Sequence, residues 1–222
     1  MTTQLSGEAF VHELEKENRV ALERLGRLSR SGEPSGDISV ARLLRVALKN
    51  EFEASELAAI WMATTQELDV KLSLARQAGD EAKHYRLIVD RLYSLGIDGN
   101  EIEPREGGYS RLFEYLRALD TTVSRVAAGQ FTREGIALVR NECFVEFCRA
   151  RGDDATALLY EESIQPDERH HHELGRRLLA RYAIDVDKQA QARDAARRTI
   201  ELAEEIQEMA RLKAGIVRAP GC

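Results

Sequence analysis

One short motif, Asp-Glu-x-x-His, occurs twice in the chain, at Asp80–His84 and again at Asp167–His171. Each copy lies in a stretch whose apolar residues recur at helical spacing, and on a helix residues three apart share a face. The side chains of Glu81 and His84 therefore converge, and the second copy repeats this arrangement. A carboxylate and an imidazole aimed at one point suit a transition metal such as iron or manganese. Two copies predict two metal ions held between helices.

Composition favours one all-α domain spanning residues 1–222. The chain is 43% hydrophobic and 32% charged, has only four prolines, and is long enough to bury a substantial core. A net charge of −6 gives no support for nucleic-acid binding, and we interpret the arginine clusters at 176–181 and 193–198 as solvated helix faces.

Three cysteines without framework spacing predict reduced thiols and a cytoplasmic protein. The acidic first residues do not resemble a signal peptide. No apolar run approaches the roughly 20 residues that a membrane crossing needs, so we expect no membrane association.

Helical spacing and cap residues divide the chain into a core bundle, about 37–183, with an extra helix at each end. Short links at about residues 68–69 and 152–154 predict two antiparallel hairpins, and the longer 97–130 connection can cross the bundle. The predicted helices are 5–30, about 37–68 (helix A), 69–95 (helix B), 110–128, 132–151 (helix C), about 155–183 (helix D) and about 186–213.

Four local features qualify this outline. Asp69 is predicted to cap helix B. Gly129 is predicted to interrupt helical structure before helix C, and Thr132 is predicted to cap helix C. Pro166 removes a backbone donor and should kink helix D just before its ligands. The tail 219–222 is predicted to fray.

Helical phase predicts which acids face the bundle interior. Glu51 is the lone acid in the middle of the apolar face of helix A, and Glu81 holds the same position in helix B. In helix C, Glu142 lies opposite Arg133, Arg140 and Arg151, which mark the expected solvent face, whereas its height differs from that of the helix D ligands by about 7 Å. Glu134 matches the height better and remains the rival, and Glu146 also points inward. We give the face argument more weight.

Unpaired carboxylates on apolar faces cost several kcal/mol each, so glutamates that are buried together call for a cation. In helix D, His170 falls on the outer side, while His172 and Glu161 tilt inward. The predicted metal ligands are Glu51, Glu81, His84, Glu142, Glu168 and His171.

Over about residues 40–183, these positions resemble the ferritin-like di-iron carboxylate superfamily. The resemblance implies a ferritin-like four-helix bundle with a long crossover and extra terminal helices. It also implies two iron ions, with manganese possible, and dioxygen as a partner. In related oxygenases the acid before each ligating glutamate orients the histidine of the opposite motif. Asp80 would then hold His171, and Asp167 would hold His84.

Some departures narrow the resemblance. Ile88 occupies the position of the radical tyrosine found in ribonucleotide reductase small subunits, which argues against a radical role of that kind. The sequence contains no Cys-x-x-Cys pair, so the rubredoxin-like part of rubrerythrins is absent. Long extra helices at both ends are more similar to the di-iron oxygenases, including tRNA-modifying hydroxylases, than to storage ferritins.

We therefore expect an oxygen-activating oxidase or monooxygenase with an unknown small-molecule substrate and an unknown electron donor. Candidate pocket-lining residues are Trp61, Met62, Tyr85 and Tyr160, although their composition favours plain core packing. A ferroxidase and a metal-free helical interaction module are the alternatives. The terminal helices either fold back on the bundle or pair two chains into a homodimer.

Overall fold

A computed structural model describes residues 4–31, 38–216 and 218–221 of the chain. These residues form helices and connecting turns, with no β-strand among them, which confirms the all-α prediction for this part of the chain. The predicted loop 31–36 falls almost entirely on residues outside the described ranges, as does Cys222. None of the described helices combines the length and the apolar character that a membrane crossing requires.

The helices follow the predicted order, and most of their ends lie within a few residues of the expected ones, but the helix predicted at 110–128 is interrupted at 118–121. They are α1 (Gly7–Ser31), α2 (Val40–Thr64), α3 (Leu68–Ser94), α4 (Arg111–Arg117), α5 (Thr122–Val126), α6 (Glu134–Arg149), α7 (Asp154–Leu159), α8 (Gln165–Tyr182) and α9 (Val186–Ala214). A π-helical segment, Ala127–Arg133, joins α5 to α6, and a second, Tyr160–Ile164, joins α7 to α8. A 3₁₀ turn, Gly99–Glu101, lies in the connection after α3.

Helices α2, α3, α6 and α8 carry the interior of the bundle, with α2 packed along α3 and α6 along α8. One apolar cluster includes Leu48 and Ile88, and another includes Leu57 and Leu74. Along α2 and α3 the two clusters are separated by buried polar residues, so a polar layer lies between two apolar ones.

Capping explains some helix starts and corrects one prediction. The Ser39 side chain accepts a hydrogen bond from the backbone N–H of Arg42 and so caps α2. Asp69 does not cap α3, because the helix already begins at Leu68. Its carboxylate instead accepts hydrogen bonds from Tyr182 and Arg181 and ties the start of α3 to the end of α8.

The break predicted at Gly129 is wrong, because helical structure continues through it as a π-helical segment. Glycine is required there by packing, since a Cβ atom would lie 2.6 Å from the ring of Trp61. Thr132 is no cap, and its hydroxyl accepts from the Asn18 amide. The irregularity expected from Pro166 takes the form of a π-helical segment just before α8.

The terminal segments fold back onto the bundle. Helix α1 packs against α6 and α8, and α9 packs against α5 and the first π-helical segment. The prediction of a frayed tail is wrong for the described residues 218–221. The Asn50 amide donates to the carbonyl of Pro220 over 2.9 Å, and the backbone N–H of Gly221 donates to Asn141 over 2.8 Å.

Gly175 in α8 allows the closest helix contact near the polar layer. A Cβ atom there would lie 2.6 Å from the carbonyl carbon of Gln130 in the π-helical segment. We therefore expect Gly175→Ala to lower the free energy of unfolding by about 1–3 kcal/mol, because backbone atoms must move. Gly79→Ala is the matched control: that helical glycine has open space around it, and alanine there should stabilise by up to about 1 kcal/mol. Urea unfolding of both variants checks this, and equal stabilisation would contradict the packing.

Candidate metal centre

The polar layer is a compact cluster of carboxylates and imidazoles from four helices. It comprises two overlapping groups that share Glu81 and Glu168, and within each group the candidate ligand atoms lie within 4.8 Å of one another. Every member is at least 96% buried. The first group is Glu51, Glu81, His84 and Glu168, and the second is Glu81, Glu134, Glu168 and His171.

In the first group, three carboxylates surround one imidazole nitrogen. His84 Nδ1 lies 3.2 Å from Glu81 Oε2, 3.4 Å from an oxygen of Glu51 and 3.7 Å from Glu168 Oε1. The helical phase argument places Glu51 correctly, because it lies on the inward face of α2 with 4% of its surface exposed.

In the second group, His171 Nδ1 lies 3.6 Å from Glu81 Oε1 and 3.7 Å from Glu168 Oε2. Glu134 completes this group from the start of α6. Its carboxylate accepts a hydrogen bond of 2.7 Å from the Gln77 amide. Sequence reasoning missed Gln77, although it lies four residues before Glu81 and therefore on the same face of α3.

Each histidine is held from outside the cluster by the aspartate of the opposite motif. His84 Nε2 lies 3.1 Å from Asp167, and His171 Nε2 lies 3.0 Å from Asp80. This is the cross-pairing that the resemblance implied. A proton on Nε2 that is donated to the aspartate leaves the Nδ1 lone pair facing inward, which is how metal-ligating histidines are oriented.

Cations at the rim pair with both aspartates. Lys83 donates to Asp167, and Arg76 donates to Asp80 over 3.2 Å. These bonds place positive charge outside the cluster and hold each carboxylate against its imidazole.

Glu142 does not belong to the cluster, so its predicted inward position is wrong. Its side chain is 70% exposed and lies 3.8 Å from the Arg30 guanidinium. Glu146 is likewise at the surface, in an ion pair with the same arginine. The phase argument failed because Arg133 and Arg140, which served to mark the solvent face, are themselves buried.

The buried arginines reach backbone carbonyls on neighbouring elements. Arg140 donates to Ala203 in α9, and Arg133 donates to Asn50 in α2. Charged residues therefore do not mark a solvent-exposed face of α6, because neighbouring helices cover the side on which these arginines lie. Glu134 was the rival candidate because its position along the bundle axis matches that of the helix D ligands, and this criterion was the correct one.

The other predicted residues near the cluster have different surroundings. Glu161 is exposed and pairs with Arg149, so its predicted inward tilt is wrong. His172 lies behind the cluster, with Nδ1 donating to the carbonyl of Phe131 over 2.7 Å. Among the candidate pocket residues, Trp61 and Tyr160 are fully buried, whereas Met62 and Tyr85 are half-buried.

Burial makes ionisation of several of these acids unfavourable. It raises the pKa of Glu51 to about 7 and that of Glu168 to about 8, and it raises the pKa of Glu134 well above its usual value. Burial opposes ionisation of Glu81 too, but the hydrogen bond from His84 and the charges of both histidines lower its pKa to about 2.

His84 carries the compensating positive charge. Burial disfavours this charge, but hydrogen bonds and Coulomb attraction from Glu51 and Glu81 raise the pKa of the imidazole to about 12. Protons therefore take the place of a cation in the cluster. A metal ion that bound there would have to displace them.

One pair of atoms indicates what the cluster is built to hold. Glu168 Oε2 and His171 Nδ1 are buried, and neither has a hydrogen-bond partner among the described residues. They lie 3.7 Å apart, too far for a hydrogen bond but suitable for two ligands of one ion. The donor set of carboxylate oxygens and imidazole nitrogens fits iron or manganese.

Comparison of the chain with protein-family models, with curated proteins and with solved structures gives no match.

The pKa shifts predict how the chelator-treated protein responds to pH. Glu51 and Glu168 titrate near pH 4.5 when unfolded but at about 7 and 8 when folded, so the folded state binds more protons in between. Stability therefore falls as pH rises from about 5 to 8. His84, with its raised pKa, adds to the loss above about pH 6.5.

Urea unfolding at pH 5.5 and pH 8 measures this slope. A Glu51→Gln, Glu168→Gln double variant should have a shallower slope, because neither amide titrates, whereas Glu134 and His84 with their raised pKa values retain part of it. A wild-type protein that is equally stable at both pH values would contradict the assignment.

Proposed function

We propose that this chain is a dinuclear metal carboxylate protein that activates dioxygen to oxidise a small organic molecule. The observation that carries the proposal is the pair of donor groups that share Glu81 and Glu168. Shared carboxylates suit two ions held close together, as in two-metal sites in which the ions lie about 3.5–4 Å apart.

Charge supports the same conclusion. The two donor groups together contain four glutamates, whose full ionisation gives four negative charges, and two divalent cations supply four positive ones. The histidines, held by Asp80 and Asp167, then act as neutral ligands. A neutral centre of this kind removes the cost of burying four carboxylates.

The distribution of ligands over the helices supports a ferritin-like bundle. Helices α2 and α6 each contribute one glutamate, and α3 and α8 each contribute a Glu-x-x-His pair. This is the pattern of di-iron and di-manganese carboxylate bundles. The connection between α3 and α5, which contains α4, has the length of a crossover.

Two ferrous ions, when bound, supply electrons for the reduction of dioxygen. The chain's own residues prepare the place for them. Asp80 and Asp167 fix the imidazole orientations, Gln77 positions Glu134, and the flanking apolar clusters exclude water.

A surface cavity of about 580 Å³ is the best candidate for the substrate site. It lies between α1 and α6, and Leu22, Phe131 and Val139 give it an apolar lining. Its inner wall includes His172, the direct neighbour of the candidate ligand His171. Its volume suits a small organic molecule.

Metal analysis of purified variants tests the centre. We expect about two iron ions per chain after anaerobic loading with Fe(II), and loss of both in a Glu81→Ala, Glu168→Ala double variant. Glu134→Ala should lose the ion of the second group, whereas Glu142→Ala is the matched control and should keep both, because Glu142 lies at the surface.

Exposure of the loaded protein to air then tests the activity. We expect one oxidation of the bound iron, followed by further dioxygen consumption only when a reductant and a substrate are present. Repeated turnover of Fe(II) and dioxygen alone would instead indicate a ferroxidase. Absence of metal from the wild type would exclude both and leave a metal-free helical module.

A further inference from the structure

Gln130 is a buried polar residue that the fold itself does not use. Its side chain is 1% exposed, and neither its amide nitrogen nor its amide oxygen has a hydrogen-bond partner among the described residues. An amide buried in this way costs about 1–3 kcal/mol. Gln130 is not a member of either donor group.

The backbone places Gln130 next to the second donor group. It lies in the π-helical segment that leads into α6, four residues before Glu134. In a π-helical segment hydrogen bonds run from residue i to residue i+5, so residues four apart lie roughly one turn apart and the two side chains point to nearly the same side. Glu134 is buried in the cluster, so Gln130 also faces the bundle interior.

The contact with α8 places Gln130 at the same level along the bundle axis. The backbone of Gln130 lies against Gly175 of α8, which follows His171 by four residues, about one helical turn. Gln130 therefore lies in the layer adjacent to Glu134 and His171. The neighbouring Gly129 contacts the ring of Trp61, whose indole N–H is also buried and has no hydrogen-bond partner in the described part of the chain.

The two donor groups differ in whether the inward-facing histidine nitrogen has a hydrogen-bond partner. In the first group, Nδ1 of His84 already donates to Glu81 over 3.2 Å. In the second, His171 Nδ1 and Glu168 Oε2 lack partners, and the Gln130 layer lies beside them. These two atoms are the expected donors to a metal ion, so a ligand that also reaches the Gln130 amide is expected on the ion of the second group.

We propose that Gln130 is a positioning residue for a small anionic ligand that binds at the second donor group beside Glu134. The amide N–H donates to the ligand, and the free protein carries the amide unpartnered until the ligand arrives. This inference rests on the proposed dinuclear centre, because the cation supplies the main attraction for an anion.

The first arm of the test needs no metal. Gln130→Met removes the unsatisfied amide and keeps much of its volume, so the melting temperature of the chelator-treated protein should rise by about 2–4 °C. If Gln130 instead has a structural role that its amide fulfils in the fold, the variant melts lower. A lower melting temperature would overturn the inference.

The second arm measures ligand binding, with azide as the probe. Wild type and Gln130→Met are loaded with iron and oxidised, and azide is titrated while its charge-transfer absorption is followed. We expect both proteins to hold two irons and the variant to bind azide about tenfold more weakly or worse. Gln207→Met is the control, since it replaces a half-buried glutamine on α9 whose amide donates to Ser29, and should leave the azide affinity unchanged.

The outcomes separate this inference from the proposed function. Two irons per chain with equal azide affinity in wild type and Gln130→Met would overturn the role of Gln130 and leave the dinuclear centre standing. Failure of the wild type to bind iron would overturn both. A higher melting temperature together with weaker azide binding supports the inference.

Discussion

The structure depends on keeping four glutamates buried within one layer of the bundle. Such a layer is stable only if the negative charge is offset by protons or cations. The pairing of His84 with Asp167 and of His171 with Asp80, the Gln77 hydrogen bond and the raised pKa values of Glu51 and Glu168 all follow from this constraint. The apolar clusters on either side leave no solvent to take over that role.

The fold class and most of the candidate centre are predictable from sequence. Glu81, His84, Glu168 and His171 were found because a repeated motif on helices fixes which side chains converge. Glu51 was found because it is the only acid on an otherwise apolar face of α2. In α2 and α3 most charged residues outside the cluster lie at the surface, with the exception of Glu53, whose buried carboxylate accepts from Ser110, so periodicity still identifies the inward face.

The same reasoning failed where neighbouring helices cover both sides of an element. In α6, Arg140 is buried and donates to a backbone carbonyl of α9. Its charge therefore does not mark the solvent face, and the preference for Glu142 over Glu134 was wrong. Backbone irregularity was also hidden: the π-helical segment at Ala127–Arg133 reads as a break because it contains Gly129. That glycine is explained only by Trp61, a contact distant in sequence.

Anomalous diffraction from crystals loaded anaerobically with Fe(II) tests the central claim most directly, because it locates ions without assuming their ligands. The account predicts two iron peaks inside the bundle, about 3.5–4 Å apart. One should lie between Glu51 and His84 and the other between Glu134 and His171, with Glu81 and Glu168 next to both. A bundle interior without iron peaks, or iron only at surface acids such as Glu142, would contradict it.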